Sequence, residues 1–183
     1  MGLPVSAGAP SAWVQRWSHL LAPGASVLDV ACGGGRHVAW FSGRGHPVCG
    51  VDIDTSVAAA NAPQAELIQA DIENGPWPLP GRQFGAVVVC NYLWRPLFPH
   101  LLESLAQGGM LIYETFASGH ELLGRPRRPE FLLQPAELLH LCKDLRVVAY
   151  ECGREDAPPR VVQRIVAVRV DANDGVTSAL SLK

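Results

Sequence analysis

No apolar run in this 183-residue chain stays free of charge for the roughly 20 residues that a helix needs to cross a bilayer. A membrane-spanning helix is therefore not expected. Met1–Pro10 lacks a basic start followed by an apolar stretch, so a secretory leader is not expected either. A basic excess is also missing: 15 Lys and Arg stand against 17 Asp and Glu, giving a net charge of −2. That argues against a general polyanion binder, and no nucleic-acid partner is expected. The five cysteines, at positions 32, 49, 90, 142 and 152, form neither a CxxC pair nor any metal-ligand spacing. No metal site is expected, and reduced thiols in a cytoplasmic protein are the simplest reading. No internal repeat, linker or obvious catalytic dyad is visible.

What is present is core-forming. Apolar residues make up 48% of the chain, and a chain of this length buries about 70% of its unfolded surface. One domain over residues 1–171 is expected, with a loose, small and polar tail over 172–183. Trp13, Val14, Trp17 and Leu20–Leu21 recur at helical spacing and predict a cover helix over about Ser11–Leu21, ended by Pro23-Gly24. Apolar segments then alternate in kind. Strands are predicted at Ser26–Val30, Pro47–Val51, Glu66–Ala70, Gly85–Cys90 and Met110–Glu114. Between them the pattern predicts helices at Arg36–Arg44, Thr55–Asn61 (capped by Asp54 or Thr55) and Leu97–Ala106. Pro135 suits a first helical position, opening Ala136–Cys142. Two last strands, Arg146–Glu151 and Val161–Val170, are joined by a polar turn at Gly153–Pro159. Alternating strands and helices imply an α/β fold with a parallel sheet covered on both faces. The final pair has no helix between its strands. The expectation is a doubly wound, mostly parallel seven-stranded sheet with a C-terminal antiparallel hairpin.

The first strand runs into Asp29-Val30-Ala31-Cys32-Gly33-Gly34-Gly35-Arg36. Glycines let a backbone approach a ligand closely, because no Cβ intervenes. In an open parallel sheet, ligands bind at the carboxyl ends of strands beside the point where strand order reverses. A glycine turn alone is equally a tight strand-to-helix corner. Four neighbours argue for more. Asp29 sits in an otherwise apolar strand, where an unpaired carboxylate is costly. Asp52 ends the second strand about 20 residues after the turn, as ribose recognition requires. Asp71 ends the third strand, and Asn91-Tyr92 ends the fourth. Polar residues thus gather on one rim.

These residues resemble the class I S-adenosylmethionine-dependent methyltransferases, over about Ser26–Glu114 with the motifs and onward through the terminal hairpin. Within that family the chain looks most like the small tellurite-resistance-type and other small-molecule methyltransferases. The resemblance implies a Rossmann-like methyltransferase fold and S-adenosylmethionine as cofactor. It further implies that Asp29 orients the turn and reaches the donor's amino group through water. Ala31, Gly33 and Gly35, with Cys32 between them, let the methionine portion lie on the backbone. Asp52 accepts from both ribose hydroxyls, and Ile53 packs on adenine. Asp71 and Ile72 meet the adenine amino edge, and Asn91 lines the methyl end. One departure is that Phe84 is followed by Gly85, where many relatives have aspartate. A nicotinamide dinucleotide is the nearest competing cofactor, but its fingerprint wants a third glycine where this chain has Val38.

The acceptor side is less defined. Tyr92 and Trp94 are expected to form an aromatic wall and Arg95 to hold an anion, unless Trp94 packs under the next helix. Tyr92 and Tyr113 are the candidate catalytic residues, with Glu114 and Thr115 on the same rim. One of Tyr113 and Glu114 should enter the covering layer. The irregular stretch 116–134 carries His120, Arg125, Arg127 and Arg128, and its length suits a substrate lid or a solvated loop. As a lid, its Arg125 and Arg128 would favour an anionic substrate. Cys32 and Cys90 end neighbouring strands, as a redox-sensitive pair or as small core residues. Methyl transfer to a small, anionic or soft-nucleophile acceptor is the leading expectation. A nucleic-acid or protein methyltransferase and an inactive cofactor-binding sensor or partner subunit are the alternatives. The oligomeric state is open.

Overall fold

Val27–Val30 (β1) is buried at every residue and lies third from one edge of a seven-stranded sheet. In a computed structural model, which describes residues 8–170, β1 pairs in parallel with Val48–Asp52 (β2) on one side and Phe84–Cys90 (β4) on the other. Glu66–Gln69 (β3) lies outside β2. Leu105–Phe116 (β5) runs parallel to β4. Arg146–Asp156 (β6) and Pro159–Val168 (β7) close the sheet as an antiparallel pair. The order is β3-β2-β1-β4-β5-β7-β6, with β7 antiparallel to β5. Strand order therefore reverses between β1 and β4, beside the glycine turn, as the alternating pattern predicted. The expected tail over 172–183 lies outside the described residues.

Alternation along the strands builds two cores. Leu28 and Val30 join the layer of Leu97, Phe98, Leu101, Leu111 and Leu138, under the helices Phe98–Glu103 (α4) and Glu137–Leu141 (α5). Val27 joins the opposite layer, with Trp13, Val14, Trp17, Val38 and Phe41. That layer belongs to the helices Ala12–Trp17 (α1), Arg36–Ser42 (α2) and Ser56–Asn61 (α3). Full burial of such a side chain contributes about 1.5–3 kcal/mol. Trp13 and Trp17 are thus core residues. Ser11 caps α1, its hydroxyl accepting from the Trp13 and Val14 amides at 3.1 and 3.4 Å. Asp54 accepts from the Ser56 amide at 2.9 Å, ahead of α3.

Four boundaries differ from expectation. α1 stops at Trp17, and Ser18–Leu20 tightens into a 3-10 turn. The helix expected to run to Ala106 ends at Glu103, because Leu105 is buried by pairing with Phe84. The strand then bulges through Gly108 and Gly109 before resuming at Met110. Pro135 stays outside its helix, since Ala136 takes a left-handed φ of 61° and α5 starts at Glu137. The polar stretch expected as a turn at Gly153–Pro159 is mostly strand, with Asp156 pairing Pro159 across two residues. That arm of β6 is exposed, so its polar side chains reflect solvent on both faces rather than a turn.

Candidate active site

The rim at the carboxyl ends of β1, β2 and β4 is where the backbone is strained. Ala31 and Asn91 directly follow β1 and β4, and both hold positive φ, 54° and 57°. Left-handed backbone costs a non-glycine residue about 1–2 kcal/mol. Such outliers gather where a chain must leave the sheet abruptly around a site. Here they turn two adjacent strand ends off the sheet.

The glycine turn is tied to the second acid. Asp52 Oδ2 accepts from the Gly33 amide at 2.7 Å, and Oδ1 accepts from the Asp54 amide at 3.1 Å. A carboxylate has about four acceptor positions, so both oxygens keep room for hydroxyl donors. Asn61 on α3 donates to the Gly34 carbonyl at 2.9 Å. Gly35, at φ 76°, precedes α2, and a Cβ there would lie 2.9 Å from Ala58 Cα and Cβ. Gly33, at φ 53°, would project a Cβ into open space. One glycine is needed for close packing on α3, the other for an open cradle.

Asp29 lies beneath this turn and is 1% exposed. Its Oδ1 is 3.8 Å from His37 Nδ1, while Oδ2 has no hydrogen-bond partner among the described residues. A buried carboxylate oxygen left unpaired is expensive. A donor with an ammonium group meets that need, so the residues present fit S-adenosylmethionine. His37 Nε2 accepts from the Ser11 amide at 3.1 Å, which leaves the proton of a neutral ring on Nδ1, facing Asp29.

Two cavities open on the rim. The larger, about 350 Å³, is lined by Ala31, Asp52, Ile53, Asp71, Ile72 and Tyr92, with Glu73 and Asn74 at its edge. Ile53 is 65% exposed there, an unusual state for an isoleucine. Asp71 is also a local organiser. Its Oδ1 accepts from the Glu73 and Asn74 amides at 3.0 Å each, and hydrogen bonds from Asn74 and Glu73 hold its carboxyl below the usual range. The second cavity, about 210 Å³, is lined by Asn91, Tyr92, Leu93, Thr115, Phe116 and Phe131, with Glu73 and Pro126. Tyr92 and Glu73 are common to both, and the Tyr92 phenol donates to Glu73 Oε1 at 3.2 Å. The 116–134 stretch thus reaches the second cavity through Pro126 and Phe131.

Several expected roles do not survive the geometry. Tyr113 is 1% exposed and stacks on Phe98, and its hydroxyl donates to the Tyr92 carbonyl at 2.7 Å. Burial pushes its phenol well up, so it neither reaches a substrate nor takes a proton. Tyr92 reaches the cavities, but burial and the Glu73 carboxylate push its phenol up as well. It is a wall rather than a base. Arg95 is not free for an anion. Its Nε and Nη2 donate to Glu137 at 2.6 and 3.0 Å, and the Glu130 and Leu132 carbonyls take further donors. Trp94 packs against the core layer. Arg128 is paired with Glu130, Arg127 Nε donates to the Gly124 carbonyl, and Arg125 is exposed. None of these arginines lines the second cavity.

Glu114 points opposite to Tyr113, onto the α1 face, and is equally buried. It accepts from Ser11 Oγ at 2.9 Å and Arg164 Nη1 at 3.1 Å, with Arg160 Nη1 at 3.6 Å. Arg36 donates to Cys90 Sγ at 3.2 Å. Burial first, then neighbouring carboxylates, pushes the Cys32 and Cys90 thiols up to about 12, which disfavours the thiolate redox chemistry needs. Glu73 is the site residue that pattern reading missed. Its signal was its place two residues after Asp71, within the turn that Asp71 caps. Among the described residues, no three His, Cys, Asp or Glu side chains gather as metal ligands do, and no helix is long and apolar enough to cross a membrane.

A parallel sheet with a reversed terminal pair thus carries a glycine turn at its switch point and acids at or near the ends of three strands, on the rim where open α/β sheets bind ligands. The family model described as a methyltransferase domain matches residues 27–109. That match spans a little under half of the chain, so residues 27–109 are similar to a methyltransferase domain. Solved structures of the same fold include a TehB-like S-adenosylmethionine-dependent methyltransferase from Corynebacterium glutamicum, at 18% identity and a TM-score of 0.65, covering 86% of each chain. The N-methyltransferase NodS from Bradyrhizobium japonicum is similar at 14% identity and 0.67, over 87% of this chain and 93% of that one. A 1,6-didemethyltoxoflavin-N1-methyltransferase from Burkholderia thailandensis, solved with that compound and S-adenosylhomocysteine, is similar at 17% and 0.65, over 87% and 76%. No curated protein matches the chain.

Proposed function

We propose that the chain methylates a small molecule seated in the cavity walled by Tyr92 and Phe131. The observation that carries this reading is the pair of adjoining cavities. The larger is built for a nucleoside, while the smaller holds roughly seven water volumes, room for about one substituted ring. The compound bound to the Burkholderia structure supports a small-molecule acceptor.

In this reading the larger cavity takes adenosine. Asp52 accepts from the ribose hydroxyls, Ile53 and Ile72 flank adenine, and Asp71 meets its amino edge. Ala31 and Gly33 offer backbone to the methionine portion, with Cys32 and Gly35 shaping the turn, and Asp29 receives the ammonium. Asn91 lines the end nearest the second cavity. When bound, the donor supplies an electrophilic methyl group on a sulfonium. The chain's own task is to hold the acceptor in line, since orientation supplies about 7–11 kcal/mol and a general base about 3–5. Residues 116–134 act as the lid, fastened by Arg95 and Glu137 and touching the acceptor through Pro126 and Phe131.

Release of S-adenosylhomocysteine should be measured over small amines, phenols, thiols and chalcogen oxyanions, with transfer RNA and unfolded protein as contrasts. Turnover with a small acceptor is expected. Turnover confined to the macromolecules would overturn the reading.

A further inference from the structure

Resting on the methyl-transfer reading, we infer that the second cavity selects a planar, neutral or cationic acceptor that donates an N–H or O–H hydrogen bond to Glu73, and rejects oxyanions. The arginine-rich stretch over the cavity suggests the opposite in the sequence, and the placement of charge reverses it.

Glu73 is the one charged side chain that lines this cavity. Its Oε1 takes the Tyr92 phenol, and its Oε2 has no hydrogen-bond partner among the described residues. Asp52 and Asp71 stand behind the Tyr92 wall, in the adjoining cavity, so the field beside it is negative from that side too. Of the nearby arginines, Arg95 and Arg128 are committed to carboxylates, and Arg125 and Arg127, both exposed, do not line the cavity. Arg95 is spent on Glu137 and two carbonyls, and Arg128 sits on Glu130 with its guanidinium 5.4 Å from the Phe131 ring centre. Glu73 is exposed, so at a dielectric close to that of water a like charge about 5 Å from its carboxylate weakens binding by roughly fourfold, and more where the filled cavity excludes water. An oxyanion in this cavity meets that repulsion with no arginine in the lining to offset it.

The remaining wall is uncharged and mostly apolar. Leu93, Phe116, Pro126 and Phe131 line the space with Tyr92, and Asn91 and Thr115 are its uncharged polar members. Aromatic faces carry negative charge and edges positive, so they favour a stacked ring or a cation over an anion. A ring between these walls with an N–H or O–H directed at Glu73 satisfies both the shape and the free carboxylate oxygen.

The test starts with calorimetric titration by S-adenosylhomocysteine. If that ligand does not bind, the methyl-transfer reading fails and this inference falls with it. On protein saturated with it, ligand-observed NMR is recorded for benzamidine, aniline and benzoate, with selenite added as competitor. The expected result is binding by benzamidine and aniline, several-fold weaker binding by benzoate, and no displacement by selenite. Glu73→Gln should weaken benzamidine about five- to tenfold, and Phe131→Ala should weaken benzamidine and aniline alike. Benzoate matching benzamidine, displacement by selenite, no binding by benzamidine or aniline, or indifference to Glu73→Gln would each overturn the inference while leaving the methyl-transfer reading standing.

Discussion

Replacing Gly33 and Gly35 one at a time by alanine separates a glycine kept for a ligand from a glycine kept for packing. Both hold left-handed backbone, at φ 53° and 76°, so each substitution costs about 1–2 kcal/mol in strain. For Gly33 the structural cost ends there, because the new Cβ meets nothing within 4 Å. A domain of this size then loses about 2–8 °C of thermal midpoint. The same Cβ stands in the space where the methionine portion is proposed to lie, and overfilling a fitted contact costs about 1–3 kcal/mol. Affinity for S-adenosylhomocysteine should therefore drop roughly five- to 150-fold. For Gly35 the Cβ lies 2.9 Å from backbone and side-chain atoms of Ala58, so α3 must move. Overpacking adds about 1–3 kcal/mol to the strain, for a total of about 2–5. Urea unfolding and calorimetric titration of both variants measure the two quantities. Gly35→Ala should be the less stable protein, and Gly33→Ala the weaker binder relative to its stability loss. Equal stability losses, or a Gly33→Ala protein with unchanged affinity, would refute the reasoning.

Other outcomes follow from the same contacts. Under native conditions a thiol reagent should label Cys152 quickly and the other four cysteines only on unfolding, read by mass spectrometry, because Cys152 is exposed and the rest are buried. Burial pushes those buried thiols up, to about 11 for Cys49 and about 12 for Cys32, Cys90 and Cys142. Arg95→Ala should speed amide exchange through residues 128–137 while leaving β1 and β4 protected, since Arg95 ties Glu130, Leu132 and Glu137 together. Acid should loosen the same latch. Burial raises the Glu137 carboxyl, but hydrogen bonds from Arg95 and the Gln134 amide more than offset that and leave it lowered. A lowered folded pKa means that the latch contributes fully above the ordinary glutamate range near about 4.3 and is lost as pH falls through the folded value. Amide exchange corrected for intrinsic rates should show loosening only below about pH 4.

Much of the candidate rim was legible because it breaks local rules. A carboxylate in a buried strand, glycines at a strand-to-helix turn and acids at strand ends stand out against an apolar pattern. Asp29, Asp52 and Asp71 could be picked from their neighbours alone. The acceptor side is written in distances between elements. Nothing near Arg95 in the chain shows that Glu137, 42 residues on, will take its guanidinium, so a committed cation read as a free one. Tyr113 and Glu114 could be assigned to opposite faces by alternation, but only packing shows that both are closed off. The polar run in β6 and the residues between Leu105 and Gly109 misled for a related reason. Local pattern does not reveal that an exposed strand carries polar side chains on both faces, or that a helix will yield to strand pairing. Glu73 escaped notice because its importance comes from two cavities meeting at one side chain.

The most direct measurement is calorimetric titration of the wild-type chain and an Asp52→Asn variant with S-adenosylhomocysteine, and of the wild type with NAD. Losing a charge-assisted hydrogen bond costs about 1.5–3 kcal/mol, so the variant should bind roughly ten- to a hundredfold more weakly. Tight wild-type binding of S-adenosylhomocysteine, weakened in this way, with no measurable binding of NAD, is the predicted result. Tight binding of NAD without binding of S-adenosylhomocysteine, or an affinity indifferent to Asp52, would contradict it.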